Sequence, residues 1–170
     1  MTLLQKRAVL CTSAVQQILA DLEQETGPLL PPIPLNAISE RLGFQVVQLS
    51  AVADACSALV STKDKLIGLN AHHAPRRQRF SLGHELGHIL LKHPSESRCT
   101  LHEIILYNLE ADACAADLLM PRDLVKQWST KLSRADKLAR VFDVSEEAMQ
   151  RRLKELNIVA RVGSESQRVD

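Results

Sequence analysis

The chain is poor in aromatic residues, with three Phe, one Tyr and one Trp among 170 positions. Its core must therefore be filled by Leu, Ile, Val and Ala, for which an apolar share of 45% is sufficient. Net charge is nearly absent as well. At +1 the chain has no global field to draw in nucleic acid or an anionic membrane. No apolar run approaches the roughly 18 residues that a membrane span requires, so no membrane partner is expected. Met1 to Arg7 lacks the ordered charged, apolar and cleavage regions of a signal peptide, and the expected address is cytoplasmic. There is no Cys-x-x-Cys. Cys11, Cys56, Cys99 and Cys114 are widely and irregularly spaced, and without an export signal the simplest expectation is free buried thiols.

The remaining sequence reads as a succession of short elements. Thr12 to Glu25 has an apolar stripe of Val15, Ile18, Leu19 and Leu22, with Ser13 and Gln16 placed as a capping box and Gly27-Pro28 as the stop. Pro28 to Pro34 holds four prolines and can only be an extended connector. Leu35 to Leu42 reads as a short helix closed by Gly43. Phe44–Leu49, Ala58–Thr62 and Leu66–Asn70 read as strands, the last two joined through Lys63-Asp64-Lys65 as a hairpin. A long helical pattern runs from Leu101 to Met120 and stops at Pro121. Asp123 to Trp128 forms a further turn of helix, and Ser133 to Asn157 reads as two helices linked at Asp143-Val144-Ser145.

One stretch between these elements carries chemistry. Arg79-Phe80-Ser81-Leu82-Gly83-His84-Glu85-Leu86-Gly87-His88-Ile89-Leu90-Leu91 contains His-Glu-x-x-His, a zinc metalloprotease signature. On a helix His84 and His88 project about 40° apart, one turn from each other, and can reach a single ion. Glu85 is offset from His84 by about 100°, beside the ion rather than on it. Leu82, Leu86, Ile89 and Leu90 give the opposite face to a core. Gly83 and Gly87 each cost the helix roughly 1 kcal/mol relative to Ala, which points to close approach of another segment at that face.

Catalytic zinc takes three protein ligands and leaves a position for water, so a further donor is required. The best candidate is Glu110, in a helix bordered by Ala111, Ala113, Ala115 and Ala116 that allows close helix packing. Glu110, Asp112 and Asp117 would otherwise be read as a solvated acidic face. With three such ligands, zinc lowers the pKa of a water from about 15.7 toward 7 and polarises the scissile carbonyl. Glu85 then takes the proton and passes it to the leaving amine. Tyr107, His93 and His102 are the available second oxyanion donors, with no choice among them. His72 and His73 are read as loop residues, and Cys114 as a small buried thiol. Leu66 to Asn70 is the candidate rim for an extended peptide added to the sheet edge.

These residues resemble a known family. The Arg79–Leu91 stretch, followed by Glu110-Ala111 and Ala116-Asp117-Leu118-Leu119-Met120-Pro121, is similar to the ImmA/IrrE metallopeptidases. Pro34-Leu35-Asn36-Ala37-Ile38 with Leu42-Gly43-Phe44 resembles the family's opening helix and strand, and Leu138–Met149 with Arg152-Leu153 its helix-turn-helix-like tail. The resemblance implies an α+β fold: a zincin-like core with a small twisted, partly antiparallel sheet packed on the metal-site helix. It implies His84, His88 and Glu110 as metal ligands, Glu85 as base, and a helix-turn-helix repressor as protein substrate. Gluzincins carry an Asp four residues after the ligand Glu to orient a histidine. Here that position is Cys114, and Asp117 is a candidate for the role.

The expected organisation is an N-terminal helix over 1–27, a core over 28–128 and a helix-turn-helix-like tail over 129–170. From Lys131 to Arg161 eight Lys and Arg face five Asp and Glu, and Glu146-Glu147 open the second tail helix where phosphates would approach. Direct DNA binding is therefore not expected, and the tail is read as structural or as a docking surface. The expected activity is a zinc-dependent endopeptidase that cleaves a cognate repressor. The alternative is a noncatalytic antirepressor or antitoxin-like module that sequesters a partner. The donor types do not separate zinc from manganese or another divalent ion.

Overall fold

The computed structural model describes residues 3–159, with side chains from Cys11 onward. It is a mixed α+β fold of seven α-helices and one three-stranded sheet among the described residues. The elements in order are α1 (Leu3–Thr26), α2 (Leu35–Arg41), β1 (Gln45–Leu49), β2 (Ala58–Ser61), β3 (Leu66–Asn70) and α3 (Pro75–Leu90). There follow α4 (Leu101–Leu119), α5 (Arg122–Ser129), α6 (Ala135–Phe142) and α7 (Glu146–Glu155).

The sheet order is β1-β3-β2, parallel between β1 and β3 and antiparallel between β2 and β3. The expected hairpin is present, but β3 is the central strand. Leu66–Asn70 therefore cannot be the rim for an added peptide, because both of its edges are already paired. Its residues Ile67 and Leu69 are buried, as suits a strand with neighbours on both sides. The free edges belong to β1 and β2, and β3 passes through Asn70 almost directly into α3.

Helix α1 is longer than its pattern suggests. It begins at Leu3 and runs straight through Ser13 and Gln16, so no capping box exists there. Cys11, Val15, Ile18 and Leu22 form its buried face, packed on α4. A genuine capping box opens α4, where Thr100 Oγ1 accepts from Glu103 N and the Glu103 carboxylate accepts from Thr100 N at 2.8 Å. Cys11 is paired with Cys114 across the α1–α4 contact, with Cα atoms 5.8 Å apart. The expectation of four free thiols is thus corrected. Two positions 103 residues apart in sequence meet because both lie on buried helix faces, and only Cys56 and Cys99 are free.

Helices α3 and α4 pack along most of their lengths, and their contact is set by glycine. A Cβ on Gly83 would lie 3.3 Å from Ala115 Cβ. One on Gly87 would lie 2.9 Å from both Ala111 O and Cys114 Cβ, and 3.0 Å from Ala111 Cα. The glycine spacing in α3 is thus answered by Ala111, Cys114 and Ala115 in α4. The tail is tied in from the other side by Arg152 of α7, only 3% exposed. Its Nε donates to Met120 O at 3.0 Å, Nη1 to Glu155 Oε1 at 2.9 Å, and Nη2 to Asp117. Phe142, Leu138, Met149 and Leu153 of α6 and α7 belong to the same buried cluster as Leu82, Leu86 and Leu118. No described helix is long and apolar enough to cross a membrane.

Gly87→Ala gains about 1 kcal/mol of helix propensity but drives a methyl into rigid backbone, at an overpacking cost of ~1–3 kcal/mol. Urea unfolding should show net destabilisation, whereas Gly83→Ala should be close to neutral. Equal stability of Gly87→Ala and the parent would show the contact to be loose. For Arg152→Ala the loss should lie near the lower end of the ~3–5 kcal/mol range for breaking a buried ion pair, since Asp117 is partly solvated. A change in thermal midpoint too small to measure would mean the tail is held by apolar packing alone.

Candidate metal centre

The α3–α4 contact brings two histidines and two carboxylates together. His84 and His88 sit one turn apart on α3, with Nε2 atoms 3.0 Å from each other and ring centroids 4.7 Å apart. The outer nitrogen of each ring is held from elsewhere. His84 Nδ1 lies 2.8 Å from Asp112 Oδ1, on α4. His88 Nδ1 lies 2.9 Å from His93 Nδ1, and His93 Nε2 lies 3.0 Å from Glu110 Oε2. The result is a continuous relay: Asp112, His84, His88, His93, Glu110. Tyr107 stacks on His93 at 4.5 Å, and Asn108 of α4 lines the same small cavity as His88.

Proton counting shows what the centre of this relay can accept. Four contacts of hydrogen-bond length need four protons, but three neutral imidazoles carry only three. Asp112 and Glu110 are acceptors at the two ends, so the fourth proton falls at the His84–His88 contact. Burial is the largest single influence on the His84 ring and lowers its pKa, but the hydrogen bond and charge of Asp112 together with the charge of Glu85 raise it overall. Burial, together with the neighbouring His84 and His93 rings, depresses His88 to about 4. His84 Nε2–H therefore donates to a bare His88 Nε2. A divalent cation can replace that one central proton with Asp112 and His93 still on the outer nitrogens of the two rings. Zinc with bonds of about 2.0–2.1 Å separates tetrahedral donors by roughly 3.3 Å, so the two nitrogens need open by only a few tenths of an ångström. A carboxylate or another ring oriented on the far nitrogen is also what a metal-binding imidazole ordinarily has. The pair fits two of the positions around a metal.

The sequence-expected residues fall as follows. His84 and His88 converge. Glu85, next to His84 on α3, is partly buried, and that burial raises its carboxyl pKa. His84 pulls it down, and Glu96 pushes it up again. Glu110 is buried on α4, with its side chain 10% exposed, and faces the pair across His93. Among the described residues no three His, Cys, Asp or Glu side chains are gathered in metal-binding geometry. The structure thus brings two of the three expected ligands together directly, and the third through an intervening imidazole.

Several assignments change. Asp117 does not orient a histidine, because it pairs with Arg152 and accepts from Thr12 Oγ1. Asp112, read as part of a solvated face, takes that role. Of the three candidate oxyanion donors, His102 is exposed and His93 is committed to His88 and Glu110. His72 and His73 are loop residues bound to Ser50 O and Asp54 O. The signal for Asp112 and Asn108 was their four-residue spacing, on the α4 face that also carries Ala111 and Ala115. A cavity of about 30 Å³ lies against His88, lined also by Tyr107, Asn108 and Cys99, with room for a water. A larger cavity of about 320 Å³ lies between α1 and the α4–α5 junction and touches none of the relay residues.

No curated protein matches the chain. A solved Mycobacterium tuberculosis transcriptional regulator matches with a TM-score of 0.64 at 18% identity, over 85% of this chain and 55% of that one. At this identity the likeness shows the fold alone, and the chain spans about half the length of that protein. The profile of Peptidase M78, the IrrE N-terminal-like domain, matches residues 39–154, a span that includes α3, α4 and every member of the relay. More than half of the sequence and the whole candidate centre fall within that match, and the chain belongs to the Peptidase M78, IrrE N-terminal-like family.

Proposed function

We propose that this chain is a zinc-dependent endopeptidase that cleaves a helix-turn-helix transcriptional repressor. The observation that carries the reading is the convergence of His84 Nε2 and His88 Nε2, each ring braced at its other nitrogen, with Glu85 next along α3 and coupled to His84 by charge. Family membership supports a metallopeptidase-like fold, and the resemblance carried by Arg79–Leu91 and Glu110–Pro121 supports the repressor as substrate class.

In this reading His84, His88 and Glu110 hold the ion, zinc or another divalent cation. When bound, the ion supplies Lewis acidity and makes a water nucleophilic near neutral pH. The chain's own residues do the rest. Asp112 keeps His84 Nε2 directed inward. The Glu85 carboxylate, made more basic by burial, accepts the proton of the attacking water and delivers it to the amide nitrogen as the C–N bond breaks and the new C–O bond forms. The free edge of β2, which packs beside α3, is the strand on which an extended peptide can add; Leu59 is exposed there. The core over 28–128 does the chemistry, flanked by the helix within 1–27 and by the tail over 129–170, which serves as a docking surface for the repressor.

A second reading draws on the contact between Glu110 and His93: a noncatalytic module that sequesters its partner and uses the relay for stability alone. Two variants separate the readings. The parent should bind about one zinc per chain by elemental analysis, and His84→Ala should lose it. Glu85→Gln should keep the zinc and lose roughly 10²–10⁴-fold in cleavage of a purified repressor, read by mass spectrometry. Relief of repression that survives Glu85→Gln would favour sequestration. Asp112→Ala should weaken zinc binding about 10–100-fold without changing stoichiometry. Unaltered affinity in a chelator competition would remove Asp112 from the centre.

A further inference from the structure

His93 lies outside the His-Glu-x-x-His stretch, yet it is buried and held at both ring nitrogens. Helix α3 ends at Leu90, and Lys92 adopts φ +55, a left-handed conformation that a non-glycine residue rarely takes. Lys92 N donates to Ile89 O at 3.1 Å and His93 N to His88 O at 3.0 Å. This helix-terminating turn folds the chain back over its own last turn and places the His93 ring between α3 and α4. The side chain is 4% exposed and stacked on Tyr107. Its two nitrogens face two different partners, Nδ1 toward His88 Nδ1 and Nε2 toward Glu110 Oε2.

A carboxylate accepts only, so the proton of that last contact sits on His93 Nε2. His93 Nδ1 then accepts from His88 Nδ1–H, and the lone pair of His88 is left on Nε2, facing His84. We propose that His93 is a positioning residue for the metal: a single imidazole that fixes the tautomer of His88 and the orientation of Glu110, coupling the ligand on α3 to the ligand on α4. The inference rests on the metallopeptidase reading and extends it. His84 has its carboxylate directly, in Asp112, whereas His88 obtains one through His93. A carboxylate behind the ring makes its inner nitrogen a better donor. His93 thus supplies the second brace that the His-Glu-x-x-His stretch does not contain.

The test is zinc affinity measured by chelator competition on the full chain, for the parent and for His84→Ala, His93→Phe and His93→Gln. Phenylalanine keeps the ring stacked on Tyr107 but has no polar atom. Glutamine offers an acceptor oxygen and a donor nitrogen in place of the two ring nitrogens. Expected are one-to-one binding by the parent, none by His84→Ala, a 10–100-fold weaker but still one-to-one site in His93→Phe, and recovery to within a few-fold in His93→Gln. Unchanged affinity in His93→Phe overturns the inference while leaving the peptidase reading in place. Loss as complete as in His84→Ala also overturns it, by making His93 a ligand. Failure of His93→Gln to recover affinity assigns the effect to packing and overturns it as well. Failure of the parent to bind zinc overturns the peptidase reading, and the inference with it.

Discussion

The close approach of α3 to α4 is the constraint on which the rest of this protein depends. Helix axes ordinarily lie 8–10 Å apart, at a distance set by the side chains between them. Here the side chains at the contact are Gly83, Gly87, Ala111, Cys114 and Ala115. Because these occupy so little space, the longer groups just outside the seam can meet: His84 with Asp112, and His88 with Glu110 through His93. A wider seam would leave two histidines on one helix and two carboxylates on another, each solvated on its own. The glycines that weaken α3 as an isolated helix are the residues that let it carry a site.

The same contact accounts for the charge balance. Glu110 is a buried carboxylate, a group whose desolvation is costly unless it is hydrogen-bonded. His93 supplies that hydrogen bond, and the relay carries the compensation on to His84, where Asp112 closes it at the protein surface. Two carboxylates at the ends, three imidazoles between them and one proton more than the rings hold when neutral make an arrangement that gains by exchanging its central proton for a cation. Packing and electrostatics thus act on the same residues: small side chains set the distance, and the acids at each end set which nitrogen carries a lone pair.

Much of this was legible in the sequence wherever the relevant spacing is local. His84 and His88 at four residues, Gly83 and Gly87 at four residues, the apolar stripes of α3 and α4, and the turn chemistry between β2 and β3 all follow from helix and strand periodicity. The family resemblance, carried on Arg79–Leu91 and Glu110–Pro121, was sound, and so was the α+β class. What escaped depends on contacts between distant segments. Asp112 looks like any exposed helix acid until α3 is laid beside it. Asp117 looked available until Arg152, 35 residues on, claimed it. Cys11 and Cys114 could not be paired from spacing alone. That β3 is central rather than an edge depends on the parallel pairing with β1, which no local pattern announces. The Ser13–Gln16 capping box failed for a simpler reason: the helix had already begun ten residues earlier, and cap residues inside a helix are only side chains.

The most direct test of the account is a zinc-edge anomalous difference map from crystals of the zinc-loaded protein. The account predicts one peak bonded to His84 Nε2, His88 Nε2 and a Glu110 carboxylate oxygen, with Asp112 and His93 on the outer nitrogens of the two rings. A map with no peak at the histidine pair, or with Glu110 outside bonding distance of the ion, would contradict it.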